Sequence, residues 1–417
     1  MRSPLRVFSF IVSSVMVLAA NRSAASDWAS WRGPHGDGTS LEKGFPTRWD
    51  TKENVKWKVP CPSGHASPIV VGDRLFTSGF DPETESRLLL CFDRSSGAEL
   101  WRKPVVQSPP ERLHVENSRA SSTPACDGEK VYCAFLDGRE PVVAAYTIGG
   151  EMAWSTRPGL FSSVHGFCST PVLWKGKVIV NCDHDGPGYI VALSARDGHE
   201  LWRIARPNRT RSYVAPLIRE INGKAQMVLS GSKCIASYDP ETGAELWMID
   251  GPTDQFVASM VYSSRTQWMY MTGGFPAHHL MAIKPDGTGN VTKTHVAWHY
   301  NPPSAVGVSY VPSPIIEEDW VLLTDDRGFA HAFDARSGEI VWQERFGRQH
   351  ASLVSAGGLV YFLNDVGECR VVNPSDKFAV VAVNRLEEAA YASPALSEGQ
   401  IFLRSDKHLW CIGERKK

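Results

Sequence analysis

The chain contains nine cysteines in 417 residues but no adjacent cysteine pair, no Cys-x-x-Cys and no Cys-x-x-Cys-His. Those absences exclude a thioredoxin-type redox centre and covalently attached haem. Most of the cysteines sit in apolar runs, such as Cys91 within Leu88–Phe92 and Cys411 within Leu409–Ile412, the setting of a small buried hydrophobe. A Cys168–Cys182 disulfide across a hairpin is the alternative. An excess of one charge is also missing: 44 Lys+Arg stand against 45 Asp+Glu, a formal net charge of −1. A nucleic-acid binder needs a basic face to neutralise phosphates, so that class is excluded. After residue 20 no run approaches the ~20 apolar residues that span a bilayer. Gly-x-Ser-x-Gly, a P-loop and His-Glu-x-x-His are absent as well, which removes the commonest hydrolase, nucleotide and zinc-peptidase signatures.

The first 26 residues have their own pattern. Arg2 and Arg6 precede a mostly apolar run from Val7 to Ala20, followed by the small residues Ser23, Ala24 and Ala25. A charged start, a short apolar stretch and a small-residue exit predict a signal peptide over 1–26. The expectation is an exported, soluble periplasmic or extracellular protein whose single domain runs over 27–413.

Tryptophan is abundant, with 14 in the chain. Tyr238-Asp-Pro-Glu-Thr-Gly-Ala-Glu-Leu-Trp247 aligns with the segments ending at Trp101, Trp202 and Trp342, and degenerate copies end at Trp154 and Trp298. Each unit reads as an apolar strand, a polar turn closed by Gly, and a strand carrying Trp. Asp or Ser at the turn start bonds the backbone, and Gly takes the φ > 0 position. From Trp57 onward these tryptophans lie 44 to 53 residues apart. A second marker precedes each unit: Ser67-Pro68, Thr123-Pro124, Thr170-Pro171, Ala215-Pro216, Ser313-Pro314 and Ser393-Pro394, with Ser259 and Ser352 in the same place without Pro.

Each repeat therefore holds four short strands, a to d. Four antiparallel strands repeated every ~45 residues predict an all-β fold, a β-propeller, and the markers count eight blades. The last unit has no d-strand, whereas Val55–Val59 is an orphan d-strand ahead of the first marker. Pairing the two closes the ring and removes an open edge. Trp57, Trp101, Trp154, Trp202, Trp247, Trp298 and Trp342 are then structural, at blade–blade contacts.

The turn-plus-Trp unit resembles the repeat of the quinoprotein-like propellers, which include pyrroloquinoline-quinone (PQQ) alcohol dehydrogenases and the BamB-like assembly factors. The opening Asp27-Trp28-Ala29-Ser30-Trp31-Arg32-Gly33-Pro34-His35-Gly36-Asp37-Gly38 is similar to the start of secreted PQQ-like repeat proteins of planctomycete-type bacteria. The resemblance implies the fold over nearly the whole chain after the leader. For the dehydrogenases it implies PQQ with calcium, packed against an adjacent Cys-Cys disulfide that this chain does not have. No calcium set or catalytic Asp maps onto it. For the assembly factors it implies a lipid-attachment Cys, also missing.

In a propeller the d–a and b–c connections share one face around the axis. The residues before each a-strand, which rim the channel, read His65, Ser121, Cys168, Tyr213, Phe256, Val311, His350 and Tyr391. The ligand-binding candidates are His65, Arg119, His165, Tyr213, Tyr310, His350 and Tyr391, able to grip an anionic or carbohydrate-like ligand by hydrogen bonds and stacking. Asp183, His184 and Asp185 form a carboxylate–imidazole run that suits Zn²⁺ or Mn²⁺, although neighbouring loop residues seldom converge. Trp28, Trp31 and Trp49 are expected to clasp the propeller; carbohydrate stacking is the sharper alternative.

The sequence favours a monomeric, non-enzymatic interaction or scaffold protein of the cell envelope. No cofactor is expected, and a protein partner or small ligand is. The alternative is a quinoprotein-like oxidoreductase, or a sugar- or alcohol-active enzyme, using the His/Tyr-rimmed face.

Overall fold

The computed structural model describes residues 27–206, 208–375 and 378–414. The leader predicted over 1–26 lies outside them. Strands are the only regular elements among the described residues, and they form the predicted ring of eight four-stranded antiparallel blades. Blade 1 is typical: Ile69–Val71, Arg74–Asp81, Ser86–Asp93 and Glu99–Gln107 follow one another from the axis outward. The eighth blade joins Ala395–Ser397, Gln400–Arg404 and His408–Ile412 to Val55–Pro60. Trp57 pairs with Cys411 and Val59 with Leu409, so the orphan strand closes the ring in the expected place.

The turn motif explains the spacing of Trp and Gly together. Each d-strand indole lies on the c–d turn of the next blade, where the turn glycine leaves room for it. A Cβ at Gly97 would meet the Trp57 ring at 2.8 Å, at Gly198 the Trp154 ring at 2.5 Å, and at Gly338 the Trp298 ring at 2.7 Å. The same indoles donate Nε1–H to a carbonyl of that turn: Trp57 to Arg94, Trp154 to Ala195 and Trp298 to Ala335, at 2.9–3.1 Å. Trp101 and Trp202 sit likewise against Gly150 and Gly243, and these two and Trp298 stay half-buried. Two copies differ. Trp342 meets Phe378 instead, with ring centroids 4.9 Å apart, because the next turn has no glycine. Trp247, wholly buried, donates to Gln226 Oε1, and blade 4 gains a fifth strand, Gly289–Asn290, from the insertion that replaces the neighbouring turn.

The Ser/Thr marker forms a second ring, near the axis. Backbone N–H groups donate to the hydroxyl of the next blade: Ser67 to Thr123, Thr123 to Thr170, Ala215 to Ser259, Ser259 to Ser313, Ser313 to Ser352, Ser352 to Ser393, and Ser393 back to Ser67. The circle is broken at Ala215, which has no hydroxyl. All nine cysteines are free, so no Cys168–Cys182 disulfide forms.

The N-terminal segment does more than clasp the outside. From Asp27 it crosses the axis on the a–b face. Trp28 bridges to Val70 in blade 1, and Ala29 accepts a hydrogen bond from Cys126 in blade 2. Arg32 donates to Pro314 O beside blade 6, and Thr39–Ser40 pairs in parallel with Ser355–Ala356 in blade 7. Trp49 then stacks on Tyr361, with centroids 6.3 Å apart.

Candidate functional site

The crossing turns the axial channel into a blind pit of about 150 Å³, open on the d–a face and floored by Trp31. Its rim holds His65, Ser121, Cys168, Tyr213, Val311, His350 and Tyr391, as the repeat register predicts. One position slips by a residue. Val257, two residues before the Ser259 marker as in every other blade, faces the pit, and Phe256 is buried in the core. Below the rim come the marker residues Ser67, Thr123, Thr170, Ser352 and Ser393.

Two groups of side chains converge at the mouth. In the first, His350 Nδ1 lies 2.8 Å from Asp365 Oδ2, and its backbone N–H donates to Oδ1 of the same carboxylate. The imidazole is thereby oriented, with Nε2 turned toward Glu116 Oε2 at 4.0 Å. Arg348 holds that carboxylate at 2.6 Å. Burial alone would raise the Glu116 carboxyl, but the charges of Arg348, His350 and His114 carry it below its usual range. Tyr391 lies between His350 and His65, with ring centroids 5.5 Å and 4.7 Å away. Burial, followed by the charges of Arg404 and His350, lowers the His65 imidazole to about 4, so it is neutral at physiological pH.

In the second group the Tyr213 hydroxyl meets Ser163 Oγ and His165 Nδ1, the latter at 2.9 Å. His114 lies against the His165 ring, and Asn117 fixes the His165 carbonyl at 2.6 Å. Burial raises the Tyr213 hydroxyl, leaving it a neutral donor. Of the predicted site residues, His165, Arg119 and Tyr310 lie outside the pit lining. Arg119 rests over the Phe80 ring, 5.2 Å from its centre. Tyr310 donates its backbone N–H to Asp326 Oδ1, and burial raises its hydroxyl to about 12.

The Asp183-His184-Asp185 run faces three ways. Asp183 is buried and paired with Arg206 at 2.9 Å, His184 packs against Phe161 and Tyr189, and Asp185 pairs with Arg211 at 2.8 Å. Among the described residues no cluster of three His, Cys, Asp or Glu is arranged to hold a metal ion. Sequence reasoning missed Trp31, Glu116, Arg348 and Asp365. The Ser/Thr markers were visible, and their shared register was the signal for the hydroxyl ring.

Comparison with known proteins follows the fold. The sequence profile of the family described as outer membrane protein assembly factor BamB matches residues 84–261 and 286–417. The quinohemoprotein alcohol dehydrogenase ADH IIB of Pseudomonas putida is 23% identical over 370 residues, 79% of this chain and 49% of that protein. The chain thus spans about half the length of that relative. Among solved structures, BamB of Moraxella catarrhalis superposes with a TM-score of 0.61 at 13% identity, covering 85% of this chain and 98% of that one. A europium-containing methanol dehydrogenase gives 0.57 at 13% identity, covering 93% and 91%. At such identity the likeness is one of fold.

Proposed function

The chain belongs to the PQQ-repeat propeller family of the assembly factor BamB, and from that premise we propose that it is a non-enzymatic interaction protein of the cell envelope. In this reading residues 1–26 export the chain and 27–413 act as one domain, a soluble monomer on which a partner docks. The observation that carries it is the state of the axis. The pit is blind, holds about 150 Å³ where small-molecule sites usually offer ~300–1,000 Å³, and two of its rim side chains are already engaged, His350 by Asp365 and Tyr213 by Ser163 and His165.

PQQ is a planar, tricarboxylated quinone and supplies redox chemistry to enzymes that bind it. The residues here do not fit it. Among the described residues no lysine or arginine lines the pit, the carboxylate of Glu116 stands at its mouth, and Trp31 fills the axis below. The second reading, an enzyme acting on sugars or alcohols, is favoured only by the Asp365-oriented His350 beside neutral His65, a pair able to move a proton.

Purification of the tagged chain from its source cells tests the proposal. A protein partner recovered in fixed stoichiometry at physiological salt is expected. Recovery of the chain alone, repeated after crosslinking, would overturn it.

A further inference from the structure

The inner edge of a propeller blade is an open strand edge, and this molecule shows how such an edge is used. In an antiparallel ladder alternate residues turn N–H and C=O away from the neighbouring strand. In the a-strands of blades 1, 3, 4 and 7 the penultimate residue does so, toward the axis, and in blade 2, Ala125–Cys126, the last residue does. In blade 1 that residue is Val70, whose N–H donates to Trp28 O at 2.9 Å while Trp28 N–H donates to Val70 O at 2.8 Å. In blade 7 it is Ser355, whose N–H donates to Gly38 O at 2.9 Å. In blade 2 Cys126 N–H donates to Ala29 O at 2.8 Å. The chain's own extended segment thus completes these edges by strand addition.

Blades 3 and 4 present the same geometry without the occupant. Val172–Trp174 and Leu217–Ile221 are the terminal strands of their sheets. Leu173 faces Val178 as Val70 faces Leu75, and Glu220 faces Ala225. Among the described residues no backbone partner meets the inward groups of Leu173 or Glu220. All three residues of Val172–Trp174 are partly exposed, unlike the covered inner strands of blades 7 and 8. Between these edges and the crossing segment lies a cavity of about 510 Å³ on the a–b face, opposite the pit.

We propose that this cavity receives an extended peptide segment of a protein partner, added as a strand to the inner edge of blade 3. The proposal rests on the reading of the chain as an interaction protein and gives that partner its chemistry. Main-chain hydrogen bonds from Leu173 supply affinity, and alternate side chains select the sequence. The walls favour apolar ones: Val172, Trp174, Leu217 and Ile218 face the cavity, with Pro34 and Pro171 at its margins. Arg219 is already tied to Asp37 at 2.6 Å, so the site is built for backbone rather than for an anion. A saccharide hydroxyl could match one such group, but the equivalent edges of blades 1, 2 and 7 are completed by extended polypeptide, which is why a peptide is favoured.

A photo-crosslinking residue placed at exposed Glu220, in the full chain in its source cells, tests this, with the same residue at Val115 on the opposite face as a control. Adducts from position 220 to one protein are expected, at partner residues recurring every second position. Leu173→Pro, which deletes the inward N–H, should lower the yield about tenfold at unchanged Tm, while Leu173→Val retains it. Should Leu173→Pro not fold, replacing the Leu173 amide by an ester, which deletes the same N–H without the proline ring, serves instead. Adducts from position 115 alone, a glycan or a second copy of this chain in the cavity, or indifference to proline would overturn strand addition and leave the interaction reading standing. Capture from neither face, with no partner in the tagged purification, would remove both.

Discussion

Gly198→Ala is the sharpest probe of why this chain closes into a ring. Gly198 sits at φ +76°, and a Cβ there would lie 2.5 Å from the Trp154 ring. Two costs follow. Left-handed backbone costs an L-residue roughly 1–2 kcal/mol. Forcing a methyl into a packed contact adds roughly 1–3 kcal/mol, since the indole is held by its bond to Ala195 O and cannot simply turn aside. The total is about 2–5 kcal/mol. Gly176 provides the control, with φ +77° and nothing within 4 Å of its would-be Cβ, so Gly176→Ala shows the backbone cost alone, roughly 1–2 kcal/mol. Urea unfolding of both variants, each repeated in a Trp154→Ala background, separates the two costs. Loss of the indole should bring Gly198→Ala down to the control, a coupling of roughly 1–3 kcal/mol. Equal costs for the two glycines, or no change when Trp154 is removed, would refute the contact as the link between blades.

Ser352→Ala removes one hydroxyl from the axial ring and should cost about 1 kcal/mol in urea unfolding, whereas Ala215→Ser supplies the missing one and should be neutral or stabilising by up to about 1 kcal/mol. Trp57→Ala should cost at least ~3–5 kcal/mol, since it loses its packing on Gly97 and Phe402 and the bond to Arg94 O at the seam of the ring. Stability should also fall on acidification from about pH 6.5 toward 4. Burial holds His65 and His279 at about 4 in the folded chain, so the unfolded chain takes up protons that the folded one refuses. The contribution is complete above pH 6.5, and the urea midpoint of His65→Gln or His279→Gln should depend less steeply on pH across that window.

The repeat carried the fold because each element of it does a job that tolerates little else. The turn glycine must leave space for an indole, the Trp must reach the next blade, and the Ser or Thr must meet a neighbour's N–H at the axis. Those demands recur at a fixed interval, so blade number, closure by Val55–Pro60 and seven of the rim positions could be read directly. Phe256 missed by one residue, since the pit takes Val257, two residues before the Ser259 marker. The path of Asp27–Ser40 was not legible, because its contacts with Val70, Cys126, Pro314 and Ser355 have no periodicity and depend on the ring already being closed. Trp31 looked like one of three clasping tryptophans for the same reason. Glu116, Arg348 and Asp365 were hidden because they come from connections that differ from blade to blade.

Whether the propeller axis is shut to the quinone is read by titrating the purified protein with PQQ in the presence of calcium, followed by absorbance and by dye reduction with alcohols and sugars. No saturable shift at micromolar PQQ and no dye reduction are expected. A saturable quinone shift coupled to oxidation of an alcohol or sugar would contradict a shut axis.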